Sequence, residues 1–548
     1  MKLTDGYPEY MLKSIALVEE KRKRNMSHPV KPMSLKEREN TLSKYHPDYM
    51  EGTRRKLRVG VDKGQELYNG IVDLLEAKSV LKPNDVDLSK IDYDVDLMII
   101  GGGGAGTVAA LFAYESGIAS DKILIVTKLR HGDSNSMMAQ GGIQAADRSE
   151  DSPALHYLDI YGGGHFTNKP DLARALALDA PGIIKWHEDL GVMYDRYDDG
   201  EFQELSGGGT CRNRMHSAKD YTGMELLRNI RDNARNLGLP VLEFCPIVEL
   251  LMDDKGKVAG GIAFNLETYE YSVIRAKATI LATGGSGRLH LSNYPTTNHY
   301  GATGDGLVMA YHVGANLLDL DTIQIHPTGD AYPEPIVGVL STEKIRGLGA
   351  IPVNANGDPF VFPLEPRDVE SAAFIQECKQ GHGIVTPTGM PGVWLDTPMI
   401  DIIHGEGTCA SKLSGEVRKL KRFDIDMTKH PILVYPTLHY QNGGVEINER
   451  TETRIPGLFA AGEVTGGVHG KNRLMGNSLL DYNVFGRRAG IYAAKYIKKV
   501  KIGKLTLSHL DKYTKLIDQA GIKLEKTAPI LLPEYRGEKA ISRALDIF

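Results

Sequence analysis

Two regimes of apolar and polar residues follow one another along this chain. The first ninety residues are dense in charge, with EEKRKR (Glu19–Arg24) and GTRRKLR (Gly52–Arg58) set among helix-favouring residues. Such runs predict a separate, mostly helical arm or packing extension, and a docking surface is the alternative. At DVDLMIIGGGGAGTVAALFAYESG (Asp94–Gly117) the pattern changes to a continuous apolar run, a glycine turn and a helix-like stretch, followed by a second apolar run, KILIVTK (Lys122–Lys128). Short all-apolar runs bounded by glycine read as buried strands, so this segment predicts a βαβ unit. Two later stretches read as strands running into glycine: ATILATGGSGR (Ala278–Arg288) and IPGLFAAGEVTGG (Ile455–Gly467), the latter ending at Glu463. No apolar run approaches the roughly 18 residues of a membrane helix, and MKLTDGYPEYM lacks the apolar centre of a signal peptide. A cytoplasmic chain with no membrane span of its own is the expectation.

Composition changes this picture in three ways. A chain of 548 residues is too long for one ordinary core, which predicts two or three domains. A net charge of -5 gives no general nucleic-acid surface and leaves small-molecule chemistry as the expectation. The four cysteines, Cys211, Cys245, Cys378 and Cys409, are scattered without a C-x-x-C or ferredoxin-like run. Single-electron carriers would therefore come from another protein of a complex, and no residue set is assigned to a metal.

Gly101, Gly103 and Gly106 satisfy G-x-G-x-x-G between a strand and a helix. The first makes the tight turn, the second admits a pyrophosphate and the third lets helix meet strand, with the helix N-terminus facing the phosphates. The place of the usual ribose-binding acid is taken by Thr127 and Lys128, and Glu463 is a candidate to supply it from late in the chain. A cofactor wrapped by both ends of the chain, with another domain inserted between them, points to FAD.

The ordered motifs GGGGAG, MAQGGI (Met138–Ile143), DYTGMELL (Asp220–Leu227), ATGGSGR, TGDGLVMA (Thr303–Ala310), QIHPTG (Gln324–Gly329), STEKIRG, EPRDVES (Glu365–Ser371), TLHYQNGG (Thr437–Gly444) and AAGEVTGGVHGKNRLMGNSLL (Ala460–Leu480) carry a resemblance over about Asp94–Ile497. The chain resembles the flavoprotein subunit of the fumarate reductase and succinate dehydrogenase family, which also includes L-aspartate oxidase and soluble fumarate reductases. The resemblance implies an α/β fold: a Rossmann-like FAD-binding domain with an inserted α+β capping domain, a charged N-terminal extension and a short C-terminal helical tail. The expected divisions are 1–93, 94–318 (FAD-binding, first part), 319–433 (cap), 434–497 (FAD-binding, second part) and 498–548. It implies a small dicarboxylate substrate held by His326, Thr342, His439 and Arg473, with Arg367 as proton donor and Glu343 and Arg346 returning the proton. Cofactor contacts are implied at Gly101, Gly103, Gly104, Ala105, Gly106, Thr127, Lys128, Ser134, Asn135, Ser136, Gln140, Gly141, Gly142, Ala282, Thr283, Gly284, Asp305, Glu463, Asn477, Ser478 and Leu479. An iron–sulfur electron-transfer subunit is the implied partner, with attachment to a membrane face through it.

Three departures qualify the resemblance. The histidine that carries the flavin covalently in membrane-complex members falls, five residues before Gln140, on Asn135, which predicts non-covalent FAD; His131 is out of register as an alternative. Leu348 stands where the family has an acid in R-G-E-G, and the short Arg346–Arg367 interval suggests a reduced cap. The expected activity is reduction of fumarate or a fumarate-like enoate. Succinate dehydrogenase and L-aspartate oxidase are alternatives on the same frame, and a non-catalytic electron-relay flavoprotein is an alternative of another class.

Overall fold

The computed structural model describes residues 3–4 and 6–533. Three helices precede the first long strand: α1 (Glu9–Ser27), α2 (Leu35–Tyr45) and α3 (Asn69–Leu75). The βαβ unit then follows as β1 (Tyr93–Ile100), α4 (Gly104–Glu115) and β2 (Ile123–Val126), with β1 and β2 parallel. Strands β3 (Ile143–Gln144), β4 (Glu204–Leu205) and β5 (Met215–His216) form a small antiparallel sheet in the order β3-β5-β4. The long strand β6 (Tyr271–Leu281) pairs in parallel with β1 and anchors the antiparallel side of the eight-stranded main sheet.

A second, five-stranded antiparallel sheet is inserted. Its named members are β7 (Gln324–Asp330), β8 (Pro391–Leu395) and β9 (Ile432–Tyr440), and the helix α5 (Arg367–Lys379) packs against all three. β9 runs unbroken through positions 433 and 434, where the motif order places a domain boundary. The chain returns to the main sheet with β10 (Leu458–Ala460), parallel to the end of β6, and α6 (Asn477–Ile497) lies along α4. That crossing is close: a Cβ at Gly490 would stand 2.3 Å from the Ala109 carbonyl oxygen.

The charged N-terminal stretch, expected as a separate and mostly helical region, is divided between the two cores. Tyr7, Met11, Ile15 and Val18 belong to the cluster around Trp394 and Phe374 under the inserted sheet. Leu57, Val59, Leu67, Ile71 and Leu75 belong to the main-sheet core, and two short strands, Arg54–Lys56 and Glu66–Tyr68, interrupt the helices. The apolar residues recur at i, i+4 and i+7 along α1, one narrow stripe on an otherwise charged helix. Of the expected C-terminal segment, a helix at Ser508–Gln519 packs back on the body, with Tyr513 donating to the Leu75 carbonyl at 2.5 Å. Residues 534–548 lie outside the described residues. Among the described residues no helix is long and apolar enough to cross a membrane.

Candidate active site

A cavity of about 300 Å³ opens where β1, β2 and β6 end and α4 begins. Gly101 turns the chain there with φ +119°, and a Cβ on it would stand 2.1 Å from the Ala282 carbonyl oxygen. Only glycine fits that turn. The cavity is lined by Gly103, Gly104 and Ala105 of the helix start, by Thr127 and Lys128, by Ser134, Asn135, Ser136 and Gln140, by Ala282, Thr283 and Gly284, and by Asp305, Glu463, Ser478 and Leu479. These predicted cofactor residues come from segments nearly four hundred residues apart. Four others do not line it. Gly106 packs helix on strand, since its Cβ would meet the Gly101 carbonyl at 1.9 Å, and Gly142 lies against the His216 carbonyl. Gly141 lies against the Met475 methyl, and the Asn477 side chain turns to His156.

The cradle fits a dinucleotide. Helix α4 presents its free N–H groups and positive dipole end to the cavity. Thr283 Oγ1, Gln140 Oε1 and Tyr482 OH are buried there without a hydrogen-bond partner. Each such atom costs about 1–3 kcal/mol unless a ligand satisfies it. Lys128 is held by Asp305 at 2.6 Å and Thr303 at 2.8 Å. Burial raises the Glu463 carboxyl above its ordinary value; one oxygen accepts from the Gln441 N–H, the other from Asn135 Nδ2 at 3.1 Å. Asn135 Oδ1 in turn accepts from the His299 N–H. His131 does not line the cavity, and its Nε2 meets Thr107 Oγ1 at 3.0 Å.

Beyond His439, which also lines the cavity, the remaining predicted residues gather in one buried cluster. Arg367 is the first residue of α5; its Nε donates to Glu343 Oε2 at 2.8 Å and its Nη1 to Gln324 Oε1 at 2.9 Å. Arg473 Nη2 donates to the same Gln324 oxygen at 2.9 Å, and its guanidinium lies 4.3 Å above the Tyr440 ring. Glu343 Oε2 is 3.4 Å from Arg346 Nη2, and Arg346 Nη1 pairs with Glu370. Glu343 Oε1 accepts from the Gly208 N–H at 2.7 Å. The His326 and His439 rings are 4.9 Å apart. Thr342 directly precedes Glu343, and a Cβ at Gly141 would stand 3.5 Å from its hydroxyl.

Electrostatics follow from burial and crowding. Burial, with Arg367 and other cations nearby, holds both His326 and His439 well below the ordinary imidazole range. His326 Nδ1 accepts from the Thr328 N–H at 3.1 Å, so the neutral ring carries its hydrogen on Nε2. Burial lowers the Arg367 guanidinium, although the Glu343 carboxylate beside it opposes, and lowers Arg473 to about 9 with help from Arg367. Burial alone would raise Glu343; Arg367 and Arg346 outweigh it and hold the carboxyl below its usual range. Burial leaves Glu370 well above that range.

Sequence reasoning missed three participants. Gln324 ties the two arginines together, and its place two residues before His326 on a strand put it on the same face. Glu370 lies one helical turn after Arg367, a spacing that faces the two side chains alike. The Gly208 N–H carries no signal in a side chain.

Comparisons with known proteins bear on this site. The chain is 38% identical over 413 residues to one of the subunits of the fumarate reductase (CoM/CoB) of Methanothermobacter marburgensis, spanning 74% of this chain and 73% of that one. It is 33% identical over 432 residues to the succinate dehydrogenase flavoprotein subunit of Coxiella burnetii, spanning 74% and 71%. The FAD binding domain family matches residues 96–479. The chain belongs to the fumarate reductase and succinate dehydrogenase flavoprotein family. A solved family structure, the Escherichia coli quinol fumarate reductase FrdA, shares the fold with a TM-score of 0.69 at 32% identity, over 78% of this chain and 74% of that one. As a family member the chain is an FAD-dependent oxidoreductase, and most of the residues expected to hold FAD line the cavity. The family relatives are named as subunits.

Proposed function

We propose that this chain reduces fumarate, or a fumarate-like enoate, as the flavoprotein subunit of a complex whose iron–sulfur subunit delivers the electrons. The reading rests on one observation: Arg367, Arg473 and His326 are buried together beside the cavity, which His439 lines, with Gln324 holding both guanidiniums. With Arg346 behind them, three guanidiniums outnumber the acids, Glu343 and Glu370, that pair with them. Such a pocket draws in a dianion and holds its charge against desolvation. In this reading His326 Nε2, the Thr342 hydroxyl, His439 and Arg473 bind the two carboxylates and orient the double bond. Reduced FAD, when bound, supplies the hydride.

Arg367 provides the proton. Its Nε and Nη1 are committed to Glu343 and Gln324, so Nη2 is the guanidinium nitrogen left to face the second alkene carbon. Burial already lowers the guanidinium from its ordinary value. The growing carbanion is far more basic, so transfer from nitrogen to carbon runs downhill, and the guanidinium stabilises the developing charge beforehand. Glu343 then returns a proton to Arg367, with Arg346 next in line. FAD is held non-covalently in this proposal, because Asn135 offers no nucleophile where covalent members carry histidine; acid-precipitated protein should release all its flavin to the supernatant. The division of the chain into body, inserted cap and flanking segments belongs to the same proposal.

Anaerobic oxidation of reduced viologen on adding fumarate tests the activity. Wild-type turnover should fall by about 10²–10⁴-fold in Arg367→Ala with FAD still bound, the range for loss of a positioned acid. Absence of wild-type turnover, with FAD bound and reducible, would exclude fumarate as the substrate.

A further inference from the structure

The small sheet β3-β5-β4 holds a cluster that the proposed chemistry does not use. Glu204 on β4 and His216 on β5 are direct cross-strand partners, and Asp147 lies just beyond β3. His216 Nε2 is 3.1 Å from Asp147 Oδ2 and 3.4 Å from Glu204 Oε1. One donor atom from each residue lies within 4.8 Å of the others.

The second ring nitrogen fixes what Nε2 is. His216 Nδ1 stands 3.2 Å from the Arg214 carbonyl oxygen, which can only accept, so Nδ1 carries the hydrogen. In the neutral ring Nε2 is then a lone pair, fully buried and without a hydrogen-bond partner, aimed at two carboxylates. Three electron-pair donors thus converge. The neighbouring cation does not separate them: Arg148 Nε sits on the other Glu204 oxygen, Oε2, at 2.8 Å. The imidazole plane is fixed by edge-on packing of Phe202 and Tyr194, with centroids 4.9 and 5.8 Å away. An imidazole that gives one N–H to a backbone carbonyl and points its other nitrogen at carboxylates has the outer-shell arrangement of a metal ligand.

We propose that Asp147, Glu204 and His216 bind one divalent transition-metal ion, with Zn²⁺ or Mn²⁺ suited to one nitrogen and two oxygen donors. The Asp147 side chain is 17% exposed and gives the ion a route from solvent. The sequence points to no metal because these residues have no ligand spacing; only the strand pairing brings them together. The role is structural. β4 and β5 flank the loop that carries Gly208, whose N–H holds Glu343 Oε1. An ion bridging the two strands at the base of that loop fixes the carboxylate of the proton pathway from behind.

The test uses full-length, FAD-loaded protein stripped with chelator and dialysed against Zn²⁺ or, separately, Mn²⁺, with retained metal measured by mass spectrometry. Wild type should retain about one ion per chain, and Asp147→Asn and His216→Ala should each weaken apparent affinity by at least ~10-fold. Zn²⁺ should also raise the thermal midpoint of wild type but not of Asp147→Asn. Asp147→Asn keeps size and shape at a partly exposed position, so its folding does not depend on the ion being present. If wild type retains neither ion, a proton on Nε2 fills the gap and the proposal fails. Equal retention in Asp147→Asn would place the metal elsewhere and overturn it as well.

Discussion

Arg367 sits one residue before Asp368, and the two side chains have opposite surroundings. The arginine is turned into the buried cluster, whereas Asp368 accepts from His165 Nε2 at 2.7 Å and from Asn472 Nδ2 at 3.1 Å. The hydrogen bond to Asp368 raises His165 above the ordinary imidazole value, with burial opposing it. A raised folded-state value means the pair stabilises fully below the unfolded value of about 6.5 and loses that contribution as pH rises through the folded value. His165→Gln should therefore lower the urea midpoint at about pH 6, and the difference should vanish by about pH 9. The His165 side chain is 39% exposed, so the effect is small and shrinks with salt. An effect that grows with pH would show that the pair does not act through the imidazolium. None of this was legible in the sequence, because His165 and Asp368 are linked only by folding. The residues to which the proposed function assigns the chemistry were legible as a set: Thr342, Glu343 and Arg346 are neighbours in the chain, and an ordered series of motifs marks the positions of the others.

At the scale of elements, legibility follows the strength of the local pattern. β1, α4 and β2 were readable because buried strands leave unbroken apolar runs and the turn between them demands glycine. α2 was not readable as a functional element. Its start is fixed locally, by Ser34 and Glu37 bonding each other's backbone N–H groups. Its partner is remote: Leu42 packs on Val369 and Ala372 of α5, and Arg38 pairs with Glu365 at 2.8 Å. The helix that begins with Arg367 is thus braced from outside by a piece of the charged extension. Its charged face dominates the sequence and conceals the few apolar contacts that decide where it goes.

The whole molecule is two cores joined by chain that crosses between them, and α1 is built into the second. Tyr7 stacks on Tyr332 and meets Trp394 edge-on, both at 5.6 Å, and Trp394 Nε1 donates to Ser14 Oγ at 2.9 Å. Arg22 holds Asp396 with Nε at 3.0 Å and Nη2 at 2.9 Å. The FAD binding domain match covers residues 96–479, yet one partner of each of these contacts, Tyr7, Ser14 or Arg22, lies before it. Descent and folding therefore draw different borders on this chain. The matched domain is a unit of inheritance, while the packing of Tyr7, Met11, Ile15 and Val18 into the second core makes the unit expected to fold alone begin some ninety residues earlier. A chain shortened to start at Asp92 would bare the apolar floor around Trp394 and leave Asp396 buried without its cation. It should accumulate as insoluble protein. Soluble, flavin-loaded protein from the chain lacking its first ninety residues would show that the inherited unit is also the folding one.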